Sequence, residues 1–393
     1  MKRILILLSV CSVLNVTAQQ SSMPAVLDAI NTNNLRIRAT AQETEAQRLQ
    51  ARTGLSLPDP TVDFDYMTGT PTATAGTQND LTIAQGFDFP TAYGARRKVA
   101  EIRSGQQEQV SIATRREVLL DAQRTCIALV HANKRAQLLA ERHEAAVRFR
   151  DGVRQRFERE AATILDRNKA ELLEAGIAAD AQRAKMERTA LIQHLAELNG
   201  GKELAFSDTA YAPVSELPDF NTYEAELEAA DPDLRMLQAE VEASEAQTKA
   251  YKASGLPGFE VGYRYQGILG ANYHGVHAGL NVPLWSNRFK VKQQQQWTTA
   301  YTLRTDEHKL EHLYEARHLY DRAVAMRSSL LDFQQRLGGA NSTDLLEKSF
   351  ASGQMSTLEY QIELLLLKES TDRWLQLERE YQEAMAEVFK YRL

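Results

Sequence analysis

Cysteine is almost missing from this chain: Cys11 and Cys126 are the only two in 393 residues. No disulfide framework can staple it. Aromatic residues make up only 7%, and no stretch beyond the N-terminal segment stays apolar for the roughly 18 residues that a spanning helix needs. The formal charge is −6 with no basic stripe, which argues against nucleic acid as a partner. A nucleophile elbow, a phosphate-binding loop and paired-cysteine metal motifs are also missing. The chain therefore does not read as an enzyme, and no cofactor is implied.

What is present is charge and helix-forming residues. A quarter of the chain is Asp, Glu, Lys or Arg, and Ala, Gln, Glu, Leu and Arg dominate. That composition favours long helices over one compact core. The N-terminus, MKRILILLSVCSVLNVTAQQ, has a short positive start, an apolar stretch and a small-residue site at Val16-Thr17-Ala18. It reads as a signal peptide over residues 1–18, cleaved on export. Lipidation at Cys11 is a minor alternative, because Val10 is large for a lipobox.

The mature chain repeats one plan twice, with repeats at 19–205 and 206–393. GFDFPTAYG and GLNVPLWSN align Pro90 with Pro283 at an offset of 193, and EREAATILD and ASGQMSTLE align Leu165 with Leu358 at the same offset. Each repeat begins with a helix, about 24–53 or 222–253, ended by a Gly-Leu breaker with proline close behind. Two alternating segments follow, about 61–89 and about 259–283. In them Val62, Phe64 and Tyr66 oppose Asp63 and Asp65, and Phe259, Val261 and Tyr263 oppose Glu260 and Arg264. Period two means strands with one apolar face.

Four such strands leave two edges, and hydrocarbon does not tolerate open edges. If they lie in a membrane, several chains must share one barrel. Its lumen would then be lined by Asp63, Asp65, Asp88, Glu260, Arg264 and His277. Tyr93, Tyr273 and Trp285 near the strand ends would suit the boundary with water. The plainer reading is two amphipathic hairpins on a soluble helical body. Pro90 and Pro283 mark the strand-to-helix junctions: proline ends a ladder yet permits a helix to start.

After each junction comes a wet helix of about 60–70 residues, roughly 90–105 Å long, then a turn and a shorter helix. The narrow apolar seam implies coiled-coil hairpins. The short helix before the strands and the one after the tip turn together match one long helix, so stacking them end to end would give equal staves. In EHKLEHLYEARH, His308, His312 and Glu315 share one helical face and form a weak metal candidate. A polar outer surface explains them more simply, and no metal is assigned.

The duplicated plan, the NVPLWSNRFK and DFPTAYGARRK junctions, and the segments REAATILDRNKAELL and SGQMSTLEYQIELL together resemble the TolC-like outer-membrane efflux proteins, in particular the shorter metal- and drug-efflux type. The resemblance implies a mainly α fold with a small β part. Duplicated helical hairpins would be the staves of an α-barrel, and four transmembrane strands per chain would complete a 12-stranded barrel in a homotrimer. It further implies an outer-membrane exit duct with a large periplasmic part, passing solutes passively. Its partners would be a periplasmic adaptor (membrane-fusion protein), an inner-membrane transporter of the RND type, and outer-membrane lipid. Glu359 and Asp166 match acidic positions at the periplasmic gate, Phe350 an aromatic near its constriction, and Gly353 the tip glycine. Glu160 stands at the equivalent place in the first repeat, which puts that turn's geometry in question. The runner-up is a periplasmic coiled-coil adaptor or scaffold.

Overall fold

The computed structural model describes residues 22–69, 76–285, 287–340 and 343–393. The expected signal peptide and Cys11 lie outside them.

Helices dominate. The order is α1 (Met23–Asn33), α2 (Leu35–Thr53), β1 (Thr61–Thr68), β2 (Thr77–Phe87), α3 (Pro90–Glu158), α4 (Ile164–Leu198), α5 (Phe220–Ala230), α6 (Pro232–Ala253), β3 (Gly258–Ile268), β4 (Ala271–Asn281), α7 (Lys290–Ala340), α8 (Thr343–Ala351) and α9 (Thr357–Val388), closed by a 3-10 turn at Lys390–Arg392. The order of two helices, two strands and a long helical stretch followed by a shorter helix thus occurs twice, with α7 and α8 standing where α3 does. α3 alone has 69 residues, which makes it about 100 Å long.

Each initial helix is interrupted where the periodicity predicts one continuous element. Asn34 and Asp231 both leave helical geometry, with ψ of 126° and 113°. At Asp231 the cause is Pro232, which pushes its predecessor out of the helical region and suits the first position of a new helix. The Asp231 carboxylate then caps α6 by accepting the Asp233 N–H at 2.9 Å. At Asn34 the side-chain amide donates to the Leu198 carbonyl at 2.7 Å, and neighbouring Asn33 donates to Asn199 at 3.0 Å. The end of α4 therefore bonds at this break, eleven residues in from the start of α1, and not at a helix terminus as simple end-to-end stacking predicts.

The chain divides into two compact units. One draws on residues up to Asn34, Asp121–Val214 and Met326–Ala386; the other on Leu35–Leu120, Ser215–Ala325 and Glu387–Leu393. Each takes material from both repeats. In the first unit Phe149, Val153, Ala170 and Tyr360 form a buried cluster with Leu173 and Leu364 against it. Also here is Cys126, fully buried, whose thiol is pushed up to about 12 by burial, with the Asp208 charge adding to it. Since the thiolate is the reactive form, Cys126 should ignore a thiol reagent at pH 8 in the native protein and react fully in guanidinium. A labelling time course checks this.

The second unit contains the sheet. Its helical seam is built on small residues: Val99, Ala246 and Ala250, with Ala95 and Ile102 beside them. An aromatic group around fully buried Tyr223 includes Phe220, Tyr320 and Tyr391, with Phe220 edge-on to Tyr320 at 5.5 Å. The four strands form one antiparallel sheet in the order β1-β2-β3-β4. β2 and β3 join the two repeats, so β1 and β4 are the edges.

Candidate functional site

The register of the sheet sorts its side chains into two unlike faces. On one face the cross-strand rows are Phe87–Phe259–Leu280, then Val62–Ile83–Tyr263–Val276, then Phe64–Leu81–Tyr265–His274. On the other are Glu260 with Gly86 and Gly279, then Ala84–Gly262–His277, then Asp63–Thr82–Arg264, then Asp65–Asp80–Gln266–Tyr273. A soluble sheet buries its apolar face. Here Val276 is 84% exposed and Phe64 64%, while Asp80 on the polar face is 5% exposed. The partition is inverted.

The polar face is organised by charge. Arg264 Nε donates to both carboxylate oxygens of Asp80, at 3.1 and 3.0 Å, and its Nη2 bonds to Asp80 as well. His277 Nε2 lies 3.7 Å from Glu260. Gly262 is required in its row, because a Cβ there would sit 2.3 Å from the Ile83 carbonyl oxygen. Five of the six residues expected in the lumen, Asp63, Asp65, Glu260, Arg264 and His277, do share this face. Asp88 lies just beyond the end of β2, outside the paired register, and pairs with Arg96. Asp80, the residue Arg264 holds, escapes a reading of the sequence because the apolar alternation of β2 begins only at Leu81.

The tip turns of the two repeats are built alike. After α3, the Ala161 N–H donates to the Arg156 carbonyl at 2.8 Å; after α8, the Gln354 N–H donates to Ser349 at 3.0 Å. These are equivalent Schellman closures. Gly353 carries the left-handed backbone this requires, with φ of 74°, and Glu160 adopts it too, at 57°. The first-repeat turn therefore has the same geometry despite lacking glycine. The following helices start with equivalent capping boxes. Thr163 and Asp166 exchange bonds at 3.0 and 3.1 Å, and Ser356 and Glu359 at 2.8 and 3.2 Å. Phe350 is stacked on Tyr360, with centroids 4.7 Å apart, and meets Phe149 at a tilt, at 5.3 Å. It belongs to the packing of the tip.

The chain superposes on a membrane protein from Pseudomonas aeruginosa with a TM-score of 0.79 at 15% identity, covering 94% of this chain and 93% of that one. The outer-membrane channel OprN gives the same score and identity over 94% and 89%. VceC, an outer-membrane protein of Vibrio cholerae, gives 0.73 at 13% over 94% and 95%. No protein-family model matches the chain, and neither does any curated protein. The fold is that of the TolC-like channels.

Three details of the chain depart from sequence expectation. Tyr273 stands at the hairpin end of β4 but opposite Gln266, on the polar face; the aromatics towards that end of the apolar face are Tyr66 and Tyr265. Tyr93 is half-buried, its hydroxyl accepting the Asp88 N–H at 2.9 Å with Arg96 over its ring, whereas Trp285, past the end of β4, is 79% exposed. Finally, Pro90 opens α3, whereas α7 does not start until Lys290, after a turn at 287–289.

The histidine cluster is also rearranged. His308 and His312 point their Nε2 atoms at Asp231, at 2.8 and 3.4 Å, while Glu315 pairs with Lys390 at 3.0 Å. Among the described residues no group of three or more His, Cys, Asp or Glu is placed to hold a metal ion. The histidines buttress the helix break at Asp231.

The capping boxes set a pH dependence. Bonds from the Thr163 hydroxyl and N–H lower the Asp166 pKa, and bonds from the Ser356 N–H and hydroxyl lower that of Glu359. A depressed folded pKa gives stability that is complete above the unfolded value, near 4, and is lost as pH falls through the folded value. Amide protection at Thr163, Asp166, Ser356 and Glu359 should therefore drop below pH 4 while mid-helix amides hold. Thr163→Ala should remove about 1 kcal/mol of local helix stability at neutral pH. Hydrogen exchange, corrected for intrinsic rates, measures both.

Proposed function

We propose that the protein is the outer-membrane exit duct of a tripartite efflux pump, passing solutes from periplasm to exterior without chemistry of its own. The observation that carries this reading is the inverted sheet. An exposed apolar face opposite a charged one, on strands of 8–11 residues, matches the alternation of a barrel wall with lipid outside and water inside. Open edges at β1 and β4 demand closure by further copies. Three copies supply twelve strands, and the helical hairpins continue the wall as an α-barrel. The likeness to outer-membrane channels over nearly the full length of each chain favours this over an adaptor or scaffold.

The tip turns then form the periplasmic mouth, where Asp166 and Glu359, held ionised by their caps, place two carboxylates per copy. A ring of carboxylates attracts cations at a gate. A periplasmic adaptor and an inner-membrane transporter of the RND type complete the path. The test is membrane fractionation, mass measurement of the detergent-solubilised particle and conductance in planar bilayers. A trimeric particle with discrete conductance steps supports the duct; a monomer that stays soluble without detergent overturns it.

A further inference from the structure

The two strand-to-helix junctions are equivalent in sequence but finish differently. The first closes on itself: Asp88, Tyr93 and Arg96 bond to one another, and Ala92 behind them is buried. The second stays open. Leu284, Trp285 and Phe289 are 67%, 79% and 67% exposed, and they follow in the chain on β4, whose Val276 and Leu280 stand on the apolar face. Arg288, Lys290 and Lys292 follow directly, all exposed. Arg288 lies over the Phe289 ring at 5.3 Å and Lys290 near the Tyr251 ring at 5.9 Å. Among the described residues none of these three cations has a carboxylate partner.

We propose that this segment is a hook for anionic phospholipid. Leu284, Trp285 and Phe289 enter the boundary between acyl chains and headgroups, and Arg288, Lys290 and Lys292 take the lipid phosphates. Two features argue for lipid over a protein partner. The exposed apolar side chains follow in the chain on the strand whose apolar face the barrel reading assigns to hydrocarbon, and three cations border them in sequence, as a surface of negative headgroups requires. The proposal rests on that membrane reading and names the leaflet on the helical side. It also explains why only one repeat delays its helix: the turn at 287–289 lets Trp285 and Phe289 leave the helical surface before α7 begins.

The test uses full-length protein reconstituted in phosphatidylcholine vesicles carrying doxyl-labelled lipid. Trp285 emission is taken as the difference between wild type and W285F, which leaves Trp297 and Trp374 common to both. A label near the headgroup should quench the Trp285 component at least twofold more than a deep label. Labelled phosphatidylglycerol should quench more than labelled phosphatidylcholine, and R288Q/K290Q/K292Q should abolish that preference while keeping the depth dependence. An unquenched Trp285, as burial against another copy or a protein would give, overturns the hook; so do deeper quenching and indifference to headgroup. Flotation and conductance on the same samples separate the two readings. Protein that neither floats nor conducts fails the membrane reading, whereas protein that does both with Trp285 unquenched fails the hook alone.

Discussion

Val276→Arg should prevent assembly in membranes, whereas His277→Arg, one residue on, should be tolerated. Val276 lies in the middle of the apolar face, in one row with Val62, Ile83 and Tyr263. At 84% exposure it has little protein to lose contact with. On a water-facing sheet such a change stays within about 0.5 kcal/mol. On a lipid-facing strand an arginine near the bilayer midplane costs about 2–4 kcal/mol, and a closed trimer carries that cost three times. His277 points the other way, beside Glu260, where an arginine gains a carboxylate neighbour. The yield of heat-resistant oligomer after reconstitution measures both variants. Equal yields would mean that neither face meets hydrocarbon.

This contrast of faces is legible in the sequence because period two is hard to mimic by accident over four segments. The 193-residue offset runs deeper than the spacing of two motifs. It relates Glu160 to Gly353, both left-handed, and Thr163–Asp166 to Ser356–Glu359, both capping boxes. The role of Glu359 is written in the sequence as Ser-x-x-Glu ahead of an apolar run, a capping signature that a reading of the residue as a gate carboxylate passes over. The break at Asp231 is equally available, since Asp-Pro interrupts any helix that reads through it. Asn34 carries no comparable sign. Its break is settled by bonds to Leu198 and Asn199, more than 160 residues away, which no local pattern contains. Tyr273 can be placed by counting from Val276, because odd and even positions of β4 face opposite ways. The partner of Arg264 cannot, since the registers β1 to β2 and β2 to β3 are decided by the whole sheet.

That partner gives the second large effect. Asp80 has a side chain only 6% exposed, and Arg264 supplies nearly all of its compensation, with Gln266 more distant at 3.5 Å. Removing one member of a buried pair leaves an uncompensated charge and costs about 3–5 kcal/mol. Arg264 itself is 49% exposed, so water takes over part of its role and Arg264→Ala should cost clearly less than that. Asp80→Asn/Arg264→Gln replaces the ion pair by two neutral amides of similar shape and should recover most of the loss. The same variants separate stability from permeation. Arg264→Ala leaves the carboxylate of Asp80, and the nearby charge of Asp65, without their guanidinium and should move the reversal potential in a salt gradient towards cations. The double variant removes one charge of each sign and should return it towards wild type. If the unfolding midpoint follows this cycle while the reversal potential does not move, the pair braces the sheet and the permeating ions do not pass beside it.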